Sequence, residues 1–256
     1  MTLLRGKPRN TTSAMSVLPR SKIGAAEVYM RGKLIVIEGT DGSGKGTQVK
    51  LLTERLKKER YKTTTASFPQ YGKKSSGPIE EYLNGKYGAP SEINPYATSL
   101  FYAIDRFDFS KEIRRRLDDG YIFILDRYVD SNAGHQGGKI KNPKEREKFI
   151  EWLYDTEYRI LGIPKPNLVI ILHVPAQIGQ KLVAQKQQRL YIEGGKKRDA
   201  HEADIEHLKN AEASYLWLAK KYPKDHLVIE CTKKGVLLPP EKIHEKVLQE
   251  IRRVIK

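Results

Sequence analysis

The sequence predicts an α/β fold built on a mainly parallel five-stranded sheet with helices on both faces. Two observations carry that prediction. From Met30 onward, short β-rich runs alternate with longer runs of helical periodicity, the pattern of a parallel sheet with crossover helices. The first of these runs, Leu34 to Ile37, is continuously apolar and opens directly into a glycine-rich turn, as a strand buried on both faces does. At 256 residues and 39% hydrophobic composition, the chain can bury one substantial core.

Strands are expected at Leu34–Glu38, Thr63–Phe68, Tyr121–Asp126, Leu168–Val174 and Leu227–Glu230. Helices are expected between them near Lys45–Glu59, Asn94–Leu117, Lys144–Leu161, Ala176–Leu190 and Asp204–Lys221. In the first, Val49, Leu51, Leu52 and Leu56 supply the apolar face. A last helix is expected at Glu241–Ile255, where Pro239-Pro240 suits a helix start and Ile243, Val247, Ile251 and Val254 recur at helical spacing. Residues 1–30 read differently: five basic side chains stand among Ser, Thr and small residues, with Glu27 the one acid. They lack an apolar signal core and are expected to be a disordered tail, or to precede a true start at Met30. The domain proper is expected to span residues 31–256.

No apolar run approaches the roughly 18 residues that span a bilayer, so no membrane association is expected. The one cysteine, Cys231, cannot form an internal disulfide, fits a reducing, cytoplasmic setting, and reads as a packed thiol. Lys and Arg total 47 against 31 Asp and Glu, for a net charge of +16, which attracts polyanions. Much of that excess falls on helix faces (Lys57, Lys58, Arg114 to Arg116, Arg252, Arg253). The rest clusters beside glycine-rich segments, where it suits a small phosphorylated ligand, so nucleic acid is not expected as the partner.

The chemistry begins at Gly39-Thr-Asp-Gly-Ser-Gly-Lys-Gly-Thr47. Gly39, Gly42 and Gly44 let successive N–H groups converge on phosphate oxygens at the start of the next helix, and Lys45 adds a point charge for the β- and γ-phosphates. This is a P-loop, and the fold it implies is a three-layer P-loop NTPase-like one with ATP held by residues 39–47, including Thr40, Asp41 and Ser43. One departure is informative: Gly46 occupies the place of the usual magnesium-binding hydroxyl, and Thr47 follows it. Gly-Lys-Gly-Thr points toward nucleoside monophosphate kinases. The strand ending at Asp126 resembles a Walker B strand and offers a carboxylate for Mg2+ or for orienting the acceptor phosphate.

Four separated segments together resemble the thymidylate kinase family: Glu38 to Lys45, Phe68-Pro69, Phe101-Tyr-Ala-Ile-Asp-Arg106, and Asp126-Arg-Tyr-Val-Asp-Ser-Asn132. The similarity runs from Met30 almost to the C-terminus. It implies phosphorylation of dTMP to dTDP with ATP and magnesium, in dTTP biosynthesis, by a homodimer. It further implies that Tyr102 stacks on the base while Arg106, one turn later on the same helix face, hydrogen-bonds it. Phe101 reads instead as a core aromatic. By the same resemblance Phe68 lines the substrate site, Arg127 grips the monophosphate, Asn132 meets the base edge, and His135 and Gln136 lie near the sugar. Asp41 takes a role around magnesium and substrate, beside Asp126 and Thr47.

A basic lid is expected at about 189–201, with Gly194-Gly195 for flexibility and Lys196, Lys197 and Arg198 for charge; Arg189 is assigned to ATP and Arg198 to the transferring phosphoryl group. The lid's reading Lys197-Arg198-Asp199 inverts the family's Asp-Arg order and leaves open which basic residue meets the phosphates. Two further departures stand out. Many members place a basic residue directly after the loop aspartate, where this chain has Gly42. Many also carry an arginine before the Phe-Pro or Glu-Pro turn, where this chain has Ser67, leaving Lys73 or Lys74 to supply the charge. The alternatives are another nucleoside monophosphate kinase of adenylate kinase type, disfavoured by the absence of an Asp-Gly-Phe-Pro-Arg segment, and a basic nucleic-acid-binding P-loop protein.

Overall fold

A computed structural model of the chain describes residues 32–89, 92–184 and 204–255. The expected tail and the expected lid, with Arg189, Gly194, Gly195, Lys196, Lys197 and Arg198, lie outside the described residues. Strands β1 (Lys33–Glu38), β2 (Thr63–Ser67), β3 (Ile122–Asp126), β4 (Leu168–His173) and β5 (His226–Glu230) form one sheet in the order β2-β3-β1-β4-β5. Every pairing in it is parallel. Each strand matches its sequence expectation to within one residue at either end, because each is an apolar or β-branched run closed by a charged or turn residue.

The period-2 geometry of β1 sends its side chains to two different cores. Leu34 and Val36 join Phe123, Leu125, Val169 and Ile171 on the face covered by α3 (Pro95–Asp118), α4 (Val129–His135), α5 (Pro143–Tyr154) and α7 (Ile205–Lys221). Ile35 and Ile37 join Ile124, Ile170 and Leu172 on the other face, under α1 (Lys45–Lys58) and α8 (Pro240–Ile255). The chain leaves β1 toward β2 and β3 on one side of the sheet and later builds β4 and β5 on the other. A switch point therefore lies at the carboxyl end of β1, where ligands of open α/β sheets bind.

Several local features were not evident from periodicity. A short helix α2 (Gly77–Leu83) follows β2 and packs Ile79, Tyr82 and Leu83 against Phe101 and Tyr102, so Phe101 is a packing aromatic as expected. The helix α4 directly follows the Asp126-Arg-Tyr corner. The run expected as one helix from Lys144 to Leu161 is α-helical only to Tyr154 and continues as a π-helical turn over Asp155–Ile160. Helix α6 (Ala176–Ala184) begins where expected, and its expected continuation to Leu190 falls outside the described residues. A small antiparallel ribbon, β6 (Thr232–Lys233) with β7 (Val236–Leu237), precedes α8. Cys231 is buried beneath it, its thiol pushed up to about 12 by desolvation, consistent with a packed and unreactive group.

Candidate active site

The glycine-rich loop takes the backbone that its sequence requires. Gly42 and Gly44 have φ of +82° and +86°, a region costly for residues with a Cβ. Gly44 caps α1 with no side-chain hydrogen bond, so the first turn of a 14-residue helix offers its N–H groups to an anion. The Ser43 hydroxyl is buried there without a partner among the described residues. Gly42 has a second reason to lack a side chain: a Cβ would sit 2.2 Å from the carbonyl oxygen of Gly179 on α6. A side chain at this position is thus opposed by close backbone packing between loop and helix.

Lys45 is buried, and its Nζ donates to the carbonyls of Gly39 and Thr40 at 2.9 Å each. Desolvation, with the repulsion of Arg127 behind it, brings its pKa down to about 8. Arg127 occupies the left-handed region at φ +70°, an uncommon backbone for a side chain with a Cβ. The corner is held on both sides: Arg127 N donates to Ile37 O at 3.0 Å, and Tyr128 N donates to Glu38 Oε1 at 2.7 Å. Glu38 is fully buried and also accepts from Ser131 Oγ at 2.8 Å and Tyr215 hydroxyl at 2.9 Å. It ties the end of β1, the corner after β3 and α7 into one unit. Glu38 directly precedes the glycine-rich loop, and its spacing alone gave no sign of this role.

From that corner the Arg127 guanidinium reaches Asp41, with Nη2 2.5 Å from Oδ1, and approaches Gly39 O at 3.5 Å and His135 Nε2 at 3.3 Å. His135 Nδ1 in turn meets His207 Nε2 at 3.1 Å. A guanidinium has only donors, so His135 presents Nε2 as acceptor and carries its proton on Nδ1, toward His207. Burial pushes the pKa of both rings down, that of His207 to about 4.

A cleft of about 560 Å³, partly open to solvent, extends from this cluster. All six residues assigned to substrate from the sequence (Phe68, Tyr102, Arg106, Arg127, Asn132 and Gln136) line it, together with His135 and Asp41. Phe68 is buried against Phe109 and Tyr128, with ring centroids 5.9 and 5.8 Å apart. Asn132 donates to Ser99 O at 3.1 Å, and the buried Gln136 Oε1 has no partner among the described residues. Arg106 is held in a two-pronged ion pair by Glu157, both bonds 2.6 Å long, and donates to Tyr128 O at 3.2 Å. Glu157 was not singled out from sequence, because one glutamate in a charged helical stretch carries no distinguishing signal. Tyr71 and Leu83 also line the cleft, and neither falls in the four segments that carry the family resemblance.

Other expected residues fall elsewhere. Lys73 and Lys74 are exposed and do not line the cleft, and Ser67 uses its carbonyl to accept from Gln70 Nε2 at 2.6 Å. Of the three residues assigned to magnesium, Asp41 has its carboxylate engaged by Arg127. The Asp126 carboxylate makes no hydrogen bond or ion pair among the described residues. It lies beside the loop, where a Cβ on Gly46 would come 3.4 Å from Oδ2, and Thr47 is exposed in the next position. A carboxylate against the phosphate-binding loop, with a threonine at the loop's next position, is a donor set that suits a hard divalent cation.

A family model described as thymidylate kinase matches residues 37–244. The thymidylate kinase of Mycobacterium tuberculosis is 34% identical over 188 residues, covering 73% of this chain and 85% of that protein. A probable thymidylate kinase of Pyrobaculum aerophilum is 28% identical over 223 residues, covering 87% and 97%. Among solved structures, a thymidylate kinase from Candida albicans superposes with a TM-score of 0.66 at 23% identity, covering 87% of this chain and 92% of that one, which supports the three-layer P-loop fold. The chain belongs to the thymidylate kinase family.

Proposed function

We propose that the protein transfers the γ-phosphoryl group of ATP to dTMP, yielding dTDP and ADP, a step toward dTTP. The observation that carries this reading is the convergence of Lys45 and Arg127 on Gly39 O, with Arg127 itself lining the cleft that Tyr102 and Arg106 also line. Phosphoryl transfer demands positioning and charge stabilisation rather than covalent chemistry from the protein. The loop N–H groups and Lys45 hold the donor phosphates. Arg127 offers its planar fork to the acceptor phosphate when Asp41 yields it. The Tyr102 ring and the Arg106 donors fix a flat base that presents a carbonyl. Asp126 and Thr47 would hold Mg2+, which supplies charge neutralisation at the donor phosphates when bound. Arg189 and Arg198 complete the proposal as lid cations over the moving group, in a domain spanning residues 31–256.

Two finer points complete the reading. Leu100, Ile104 and Phe107 form an apolar row on one face of α3, 42%, 54% and 50% exposed, which suits a homodimer contact. Light scattering on the wild type and on Ile104→Glu tests it, and a monomeric wild type overturns it. No helix among the described residues is long and apolar enough to cross a membrane; we place the activity in the cytoplasm. ATP-dependent turnover measured across dTMP, dUMP, dCMP, AMP and GMP tests the substrate: dTMP should give the highest kcat/KM, and preference for a purine would overturn it.

A further inference from the structure

Arg106 is the bulkiest fully buried side chain among the described residues, and its partner Glu157 is equally removed from solvent, at 1% and 0% side-chain exposure. An ion pair in that setting is weak ground for stability, since two well-packed apolar side chains commonly do as well. What such a pair does supply is direction. The guanidinium carries five N–H donors. Nε and one donor of Nη2 are taken by the two Glu157 oxygens, and one donor of Nη1 is taken by Tyr128 O. Two donors are left without a protein partner among the described residues, on a side chain that lines the acceptor cleft beside Tyr102.

Glu157 reaches this position because of the π-helical turn that ends α5. A wider turn changes which residues face inward. Here the neighbours Thr156 and Glu157 are both buried while Asp155, Arg159 and Ile160 are exposed. Thr156 O and Glu157 O then accept from Leu161 N at 2.8 Å and Ile163 N at 3.0 Å, which anchors the turn. The carboxylate therefore comes from a hydrogen-bonded, locally irregular segment outside the four sequence segments of the nucleotide site.

We propose that Glu157 is a positioning residue for base selection: by clamping one edge of the Arg106 guanidinium, it aims the remaining donors into the cleft and favours a pyrimidine that presents a carbonyl over one that presents an amino group. The inference rests on the acceptor being a pyrimidine monophosphate, as proposed above. A fork of fixed donors donates to the 4-carbonyl of thymine or uracil and opposes the 4-amino group of cytosine, which is itself a donor. Released from Glu157, the long Arg106 side chain samples other rotamers, and the discrimination is lost along with part of the affinity.

Steady-state kinetics at saturating ATP with dTMP and dCMP, on wild type, Glu157→Gln, Arg106→Gln and the double variant, test the idea. For Glu157→Gln, KM for dTMP should rise on the order of tenfold with a smaller change in kcat, KM for ATP should hold, and the dTMP:dCMP ratio of kcat/KM should fall about tenfold. In the Arg106→Gln background the same change should have no further effect on that ratio. An unaltered ratio in Glu157→Gln, or an effect that adds in full to that of Arg106→Gln, overturns the proposal. If Gln at 157 prevents folding, Glu157→Asp keeps the charge and shortens its reach: a lowered ratio supports the proposal and a wild-type ratio overturns it. A wild type that phosphorylates neither pyrimidine would instead defeat the proposed function.

Discussion

Lys45 and Arg127 donate to a single acceptor, the carbonyl oxygen of Gly39, at 2.9 and 3.5 Å. Their charges reach that atom from two separate elements: one from the first residue of α1, the other from the corner after β3. Parallel pairing of β1 with β3 sets Ile37 beside Asp126, so the two connecting turns leave the sheet side by side. Two buried cations so close repel each other, and the carboxylates of Asp41, Asp126 and Glu38 counter that repulsion, so it is chiefly burial that holds the lysine's pKa down. A triphosphate beside Lys45 adds negative charge that favours its protonated form.

The burial-depressed lysine predicts proton uptake on nucleotide binding. With Lys45 at about 8 in the free protein, it is largely neutral near pH 9. Triphosphate beside it raises its pKa, so it must collect a proton as ATP binds. Calorimetry at pH 9 in two buffers of different ionisation enthalpy should report uptake of a sizeable fraction of a proton per ATP. Equal heats in the two buffers would contradict the burial-depressed lysine.

Replacing Lys45 with alanine should lower turnover about 10²- to 10³-fold, the usual scale for losing one preorganised charge at a transition state. The same change should not lower the melting temperature appreciably, because a lysine whose pKa is depressed by desolvation is not a net source of stability at neutral pH. Activity within a few-fold of wild type, or loss of the folded state, would each count against this placement of Lys45.

Gly42 and Gly44 separate backbone conformation from packing. Their φ values are nearly equal, yet a Cβ on Gly44 meets no atom within 4 Å, while one on Gly42 meets Gly179 O at 2.2 Å. Gly44→Ala should cost about 1–2 kcal/mol, the strain of a left-handed residue alone. Gly42→Ala should cost more in urea unfolding and also raise KM for ATP, since the loop must shift off α6. Equal costs would show that contact with α6 does not constrain the loop.

The sheet was readable because each strand is a short apolar run that ends in a residue of different chemistry, and the phosphate loop was readable because it needs glycine at fixed places. Tyr102 and Arg106 were legible from the resemblance to the family, with which their i, i+4 interval on one helix face agrees. Glu157 and Glu38 were not: each acts through contacts with residues distant in sequence, Arg106 for one and Tyr128, Ser131 and Tyr215 for the other. The π-helical turn escaped detection because its apolar spacing continues that of α5. The small helices α2 and α4 contain seven residues each, too few for a periodic signal to emerge.

Two histidines should bound the pH range of stability from opposite sides. His207 is held near 4, chiefly by burial, so the folded state keeps it neutral. Its contribution is present above the unfolded value near 6.5 and is lost as pH falls toward 4, roughly 3 kcal/mol in all, with His135 acting in the same direction. His226 is the reverse. It is buried, but its Nε2 lies 2.9 Å from Asp130 and its Nδ1 2.7 Å from Asp225, and these carboxylates raise it to about 10. Its contribution is present below about 6.5 and is lost as pH rises through 10. Urea midpoints measured from pH 4 to 10 should therefore fall at both ends. His207→Gln should flatten the acid limb and His226→Gln the alkaline limb, each leaving the opposite slope in place. The slope is the quantity to compare, because His226→Gln also leaves Asp130 buried without its cation and lowers stability throughout. An acid limb unchanged in His207→Gln would remove that ring as its source.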